Sequence, residues 1–425
     1  MRFDDSNSLS LKARKNLYRS LDLRGNPFNP GELRGEQLSL LVGRQKEAGA
    51  VINALADDAN ALIYGLKGVG KSTFLNFINA TLKNDRIIVT SVEGIPHERS
   101  FFLNILECLL RENMFEAEIQ SEEDQDIHLD PLMPLGQWQI IRASLDAEKM
   151  FGFKSHYKQK IKRKPSLFET LKKKIEKYRR ASAVYTTHDI VADIKNLSKT
   201  YSHDFPIVVC VDNFHKIAAL KSTVMTFQET LAKEMFSQEI KFVVAGTPAT
   251  FKSIEHGSSL LDRFPSGAQI ALKPLNVENV RLLIQKRIDA YRLSRAEKVL
   301  SFDDEAIDLI AKLSDGYPRR VVDACNACLR FCVEKSKLRV TEEIAHKTLK
   351  NLGLLIPQKI YSSLSRETRD VYKTLLSMQP TGPAELANEI GKSKSTIFHH
   401  LKILVDAGLV KKTPWGEYRV SQKSL

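Results

Sequence analysis

Short, almost wholly apolar runs punctuate a chain that is otherwise patterned for helices. "ALIY" (Ala61–Tyr64), "FPIVVCVD" ending on Asp212 and "IKFVVAGT" ending on Thr247 are three such runs. Their length and lack of polar alternation predict strands of a parallel sheet covered on both faces. A helical period follows the first run at once in "KSTFLNFI" and recurs in "VVDACNACLRFCVEK". Beyond residue 357 the pattern shortens. "RETRDVYKTLLSM", "GPAELANEIG" and "SKSTIFHHLKILVDAGLV" each predict a helix, with Gly391 stopping the second and Ser393 capping the third. "KKTPWGEYRVS" then predicts two short strands around a Pro-Trp-Gly turn.

The join between the first strand and its helix carries the chemistry. It reads Gly65-Leu-Lys-Gly68-Val-Gly70-Lys71-Ser72, followed by Thr73. Glycines 65, 68 and 70 let the loop turn so that backbone N–H groups face phosphate oxygens, and the helix amino terminus adds partial positive charge. Lys71 is placed to reach the β and γ phosphates and Ser72 to ligate Mg²⁺, with Thr73 a further nucleotide-binding candidate. ATP and Mg²⁺ are therefore the expected cofactors. Asp212, at the carboxyl end of its strand, sits where open α/β sheets place ligands and is the second Mg²⁺ candidate. Asn213 follows it, a side chain that can orient a water but cannot take its proton. Thr247, at the end of the third run, is placed to reach the γ-phosphate or the attacking water.

A length of 425 residues implies two or three domains, and 43% hydrophobic with 27% charged residues is a globular composition. The amino terminus lacks the apolar core of a signal peptide, and no run is long enough to span a membrane, so a cytoplasmic, nucleoid-associated protein is expected. The net charge of +13 suggests a polyanion partner. It is concentrated: residues 151–180 hold twelve Lys or Arg against two Glu, just after seven acids in 116–130. Two readings stay open there, a solvated insertion whose halves pair and a nucleic-acid footprint. Cys325, Cys328 and Cys332 fall on one face of a helix, which fits buried thiols better than a metal site lacking a fourth ligand.

Together these motifs resemble the AAA+ ATPases, in the branch containing archaeal and eukaryotic origin-recognition and replication-initiator proteins. They also resemble archaeal signal-transduction ATPases with the same opening, "NPF" (residues 26–28) and "LVGRQKE" (residues 41–47). The resemblance implies a parallel-sheet nucleotide domain over residues 26–273 behind an extension at 1–25, and a helical lid over 274–349. The charged insertion at about 115–180 departs from the family. Arg44 of the "GR" pair would help hold nucleotide. Arg263, in "LLDRFPSG", would reach a neighbouring subunit's nucleotide and so imply self-association. Arg319, in "DGYPRRVV", would contact the γ-phosphate in cis, with Arg320 the alternative. Asn213 stands where the family has a catalytic Glu, so ATP hydrolysis is expected to be slow.

The tail at 358–425 resembles a winged helix-turn-helix, implying double-stranded DNA as a partner. On its third helix Ile397, Leu401 and Leu404 share the buried stripe, leaving Lys394, Ser395, Thr396, Phe398, His399 and Lys402 for the remaining surface. Lys411, Lys412 and Arg419 on the wing suit phosphates or the minor groove. The expected function is an ATP-binding, slowly hydrolysing DNA-binding protein like the replication initiators. The alternatives are a signal-transduction-type ATPase regulating transcription and a scaffold whose winged helix binds protein.

Overall fold

The structure is a computed structural model. It describes residues 17–122 apart from 86 and 96, then 167–180, 185–201, 207–218, 230–236, 240–248, 261–293, 300–351 and 363–420. A five-stranded sheet runs in the order β2-β3-β4-β1-β5. Its strands are β1 (Ala61–Tyr64), β2 (Val89–Glu93), β3 (Ile207–Asp212), β4 (Ile240–Gly246) and β5 (Gln269–Ala271), each paired parallel to its neighbours.

Side chains of the buried central strands alternate between two cores, as a pleated strand requires. Val209, Val211, Phe242 and Val244 face one core, while Val208, Cys210, Val243 and Ala245 face the other. Parallel pairing needs crossovers, and these place helices on both faces. The first face is covered by Phe101, Phe102 and Ile105 of helix Glu98–Glu122 and by Ile190 and Ile194 of helix Thr187–Tyr201. The second is covered by Phe74 and Ile78 of helix Lys71–Asn84 and by Val51 and Leu55 of helix Gln45–Ala56. The topology gathers the carboxyl ends of β1, β3 and β4 at one edge.

The acidic and basic segments at 115–180 meet this fold only in part. Residues 123–166 lie outside the described residues, and with them most of the segment to which both readings apply, pairing of the two halves and a nucleic-acid footprint. The carboxyl end is helix Leu167–Arg180, whose Leu171, Ile175 and Tyr178 are buried in the first core. Lys174 pairs with Asp193 at 2.9 Å and Arg179 with Glu107 at 2.8 Å, so part of the basic charge is bound to acids of the core helices.

The lid comprises helices Val277–Tyr291, Asp304–Leu313, Pro318–Lys335 and Glu342–Asn351, with β6 (Ser301–Phe302) and β7 (Arg339–Val340) as a short parallel pair. Cys325, Cys328 and Cys332 are fully buried in its core, where burial pushes the Cys328 and Cys332 thiols up to about 11. Among the described residues no three His, Cys, Asp or Glu side chains group as a metal site.

Gly316 ties the lid to the segment entering it after β5, where the Leu275 N–H donates to the Gly316 carbonyl at 2.8 Å. It has φ +69, and a Cβ added there would lie 1.9 Å from the Leu275 carbonyl oxygen, which accepts no compromise from backbone. Gly316→Ala is expected to cost about 3 kcal/mol, since it combines left-handed strain with a steric clash. Gly408→Ala, at φ +73 with open space around it, should cost about 1 kcal/mol. Urea midpoints of the two variants check this, and equal shifts would refute the assigned role of Gly316.

The carboxyl-terminal helices are Arg366–Met378, Pro383–Ile390 and Lys394–Asp406, followed by the antiparallel pair β8 (Val410–Lys412) and β9 (Tyr418–Val420). Ser365 and Ser393 cap the first and third by accepting from Thr368 N and Thr396 N, and Gly391 ends the second in the left-handed conformation. Val371, Leu375, Leu386, Ile397, Leu401 and Leu404 form their common core. The whole is the predicted α/β architecture: a five-stranded parallel sheet bearing the glycine-rich loop, a helical lid, and a helix-turn-helix followed by a two-stranded wing. Among the described residues, no helix is long and apolar enough to cross a membrane.

Candidate nucleotide site and DNA-reading face

At the edge gathered by the sheet, Gly68 and Gly70 adopt φ +86 and +99, conformations that favour glycine and aim successive N–H groups into one cradle. A Cβ on Gly65 would come within 2.9 Å of the Leu272 carbonyl oxygen, so that glycine is needed for close passage under β5's continuation. Lys71 folds over the loop and donates to the carbonyls of Gly65 at 2.6 Å and Leu66 at 3.3 Å. Burial lowers its pKa, opposed by the carboxylates of Glu389 and Asp212.

A cleft opens over this cradle. Its walls are Asn29 to Glu32, the loop residues Lys67, Gly68, Gly70, Lys71, Ser72 and Thr73, then Asn213, Arg287, Pro318, Arg319 and Val322. Of the two adjacent arginines, Arg319 lines the cleft and its backbone N–H donates to Gly68 O at 3.2 Å. Arg320 turns away, over the Tyr317 ring and towards Asp315.

Asn213 closes the cleft's far end, and Asp212 precedes it at the end of β3. The Asp212 carboxylate accepts from Asn213 N at 2.7 Å. Asn213 has φ +54, a conformation asparagine tolerates better than most residues, and its amide donates to Glu93 Oε1 at 3.2 Å. Glu93 ends β2 opposite Asp212 in the ladder, and Lys216, its foremost partner, holds its carboxyl below the usual range. Burial pushes the His215 pKa down, and the nearby Lys71 charge adds to it. Thr247 is buried just after β4.

Of the residues expected at nucleotide, Gly65, Asp212, Thr247 and Arg44 are not among the cleft walls, nor is Arg263, which was expected at a neighbouring subunit's nucleotide. Arg44 is buried behind the loop, donating to Val69 O at 3.1 Å and Lys273 O at 2.8 Å and pairing with Glu47, so it braces the cradle. Arg263 is exposed at the end of the turn Leu261–Arg263. Other residues at the site carry no motif. Arg287 donates to Pro27 O at 3.1 Å and Asn29 O at 3.3 Å, holding the "NPF" stretch in place, while its buried Nε has no partner. Asn26 reaches Asn326 of the lid at 3.0 Å. A helical stripe in "VRLLIQKRI" marks Arg287 as inward-facing, the one signal that could have found it. Glu389 of the second tail helix is buried, and its carboxylate accepts from the Lys67 backbone N–H.

The residues present fit Mg²⁺–nucleotide. The cradle's amides suit an anion, and Ser72 with Asp212 is the sparse donor set that would suit magnesium when phosphates and water complete its shell.

On the third tail helix Lys394, Ser395, Phe398, His399 and Lys402 are exposed and Thr396 is half-buried. Lys411, Lys412 and Arg419 are exposed on the wing. Phe398, His399, Lys402, Val405, Lys412 and Tyr418 line a shallow groove between helix and wing. His400, one residue on, is buried and bonded to Thr368 at 3.0 Å.

Residues 374–412 match the family model described as bacterial regulatory protein, arsR family. An uncharacterized HTH-type transcriptional regulator of Methanocaldococcus jannaschii is 24% identical over 415 residues, covering 95% of this chain and 92% of that protein. Among solved structures, the Walker-type ATPase of Pyrococcus abyssi is 13% identical with a TM-score of 0.47, covering 93% of this chain and 97% of that one. The Aeropyrum pernix ORC2 protein is 14% identical with a TM-score of 0.43, covering 93% of each chain. Likenesses at that level leave fold and function to the chain's own geometry.

Proposed function

We propose that this chain is an ATP-binding regulator of transcription that reads duplex DNA through its winged helix and hydrolyses ATP slowly. The observation that carries it is the pairing, in one chain, of a complete phosphate cradle facing a lid arginine with a helix-turn-helix whose basic face is open. The regulator reading is favoured over the replication-initiator one by the helix-turn-helix match and by the name of the relative that spans nearly the whole chain. Lys71, Ser72 and Asp212 hold Mg²⁺–ATP, Arg319 acts in cis, and an exposed Arg263 is free to serve a neighbouring copy.

Lys394, Ser395, Thr396 and His399 take the major-groove face, and Lys402, Lys411, Lys412 and Arg419 take backbone or minor-groove contacts. Duplex binding should weaken steeply with salt. Replacing one phosphate-contacting lysine, Lys412→Ala, is expected to flatten the log K against log salt slope by about 0.9. Removing the chain after residue 357 should erase preference among sequences. A tail-less protein that still prefers one duplex would overturn this placement of the reader. Sites occupied across the source genome decide the role: promoters support a regulator, and a replication origin supports the initiator reading.

A further inference from the structure

We propose that the winged helix carries a latch, Glu389, which occupies the phosphate loop, so that nucleotide and the docked reader exclude one another. The inference rests on the nucleotide-binding reading above and goes beyond it, because it names what ATP displaces.

Glu389 sits near the end of helix Pro383–Ile390, and only 7% of it is exposed. A carboxylate buried to that degree needs partners that replace water. It finds one 322 positions away in sequence, in the backbone N–H of Lys67. That N–H belongs to the glycine-rich loop whose amides suit phosphate oxygens, so carboxylate and phosphate compete for one anion cradle. Two anions cannot both be accommodated beside a single Lys71 without strong repulsion.

A second contact joins the same two parts of the chain. Arg320 donates to the carbonyl of Lys373 in the first tail helix, and the Lys373 ammonium returns to Asp315 of the lid at 2.9 Å. Arg320 is the neighbour of Arg319, so the lid helix points one arginine into the nucleotide cleft and the next at the reader. Movement of that helix onto a γ-phosphate would therefore disturb the docking contact as well. Lys394, His399 and Lys402 remain exposed while the reader is docked. The latch thus fixes where the DNA-reading face points; it does not cover it.

The test is the affinity of full-length protein for a fluorescent ATP analogue and for adenosine. Glu389→Gln keeps the shape and removes the charge, and Glu389→Ala removes both. Both variants should bind the ATP analogue about 5-fold or more tightly than wild type, the lower end of measured coupling between sites. Adenosine, which brings no phosphate, should bind all three proteins equally. ATP-analogue affinity that is unchanged or weaker in both variants overturns the latch. If Lys71→Ala also leaves that affinity unchanged, the failure lies instead in the nucleotide-binding reading. Gain of affinity for adenosine equal to that for ATP would likewise overturn the proposal, because the carboxylate would then be shaping the cleft in general.

Discussion

Lys71→Ala should weaken binding of a fluorescent ATP analogue by at least ~100-fold, since one ammonium serves two charged phosphates in a water-poor site. The fold should survive the change. Among the described residues Lys71 hydrogen-bonds to two carbonyls of its own loop, Gly65 and Leu66. An unaltered circular dichroism spectrum, together with lost binding, is the expected result. Equal affinity of the two proteins would remove the nucleotide site altogether.

The second large effect concerns position 213. Wild-type turnover should fall well below ~1 s⁻¹, because an amide orients water without accepting its proton. A glutamate at 213 supplies the missing base, but the structure adds two conditions. Asn213 has φ +54, where glutamate carries a strain of about 1–3 kcal/mol. Its amide also donates to Glu93, so a new carboxylate would face an old one and one of the pair would be driven to hold a proton. The double change Asn213→Glu with Glu93→Gln exchanges amide and acid and relieves that repulsion. It is expected to raise single-turnover ATP cleavage by at least ~10-fold, at or below the lower end of what a positioned base contributes. The single change should gain less. Brisk wild-type turnover would refute the slow-hydrolysis reading. Glu93→Gln and His215→Ala would then show which group already acts as base.

Features generated by local periodicity were open to reading from the chain. The phosphate loop, the apolar strands and the capped tail helices each follow from spacing within about 20 residues. Gly391 and Ser393 act where the sequence places them. Contacts made by register or docking were not open to such reading. Glu93 meets Asn213 because β2 and β3 pair in one particular register, which no residue of "VTSVE" announces. Glu389 reaches the loop only once two distant parts of the chain have docked. Leu171, Ile175 and Tyr178 lie within a run of lysines, whose charge masks the apolar stripe they form. The "GR" pair points to nucleotide, but its spacing does not announce the bonds to Val69 O and Lys273 O by which Arg44 braces the loop from behind. The order of Arg319 and Arg320 depended on where the helix starts. With Pro318 at its first position, consecutive residues point about 100° apart, and one faces the cleft.

The three lid thiols have a practical consequence. Thiolate is the reactive form, so buried thiols with raised pKa values resist alkylating reagents as long as their helix stays packed. Cys210 is sealed under the sheet in the same way, whereas Cys108 is only half-buried. The native chain therefore contains its own chemical clock. A reagent in excess is expected to modify Cys108 first, and later modification at 325, 328 or 332 to report opening of the helix that also bears Arg319. Timing those events with and without nucleotide measures how firmly the lid is held, with no label added to the protein.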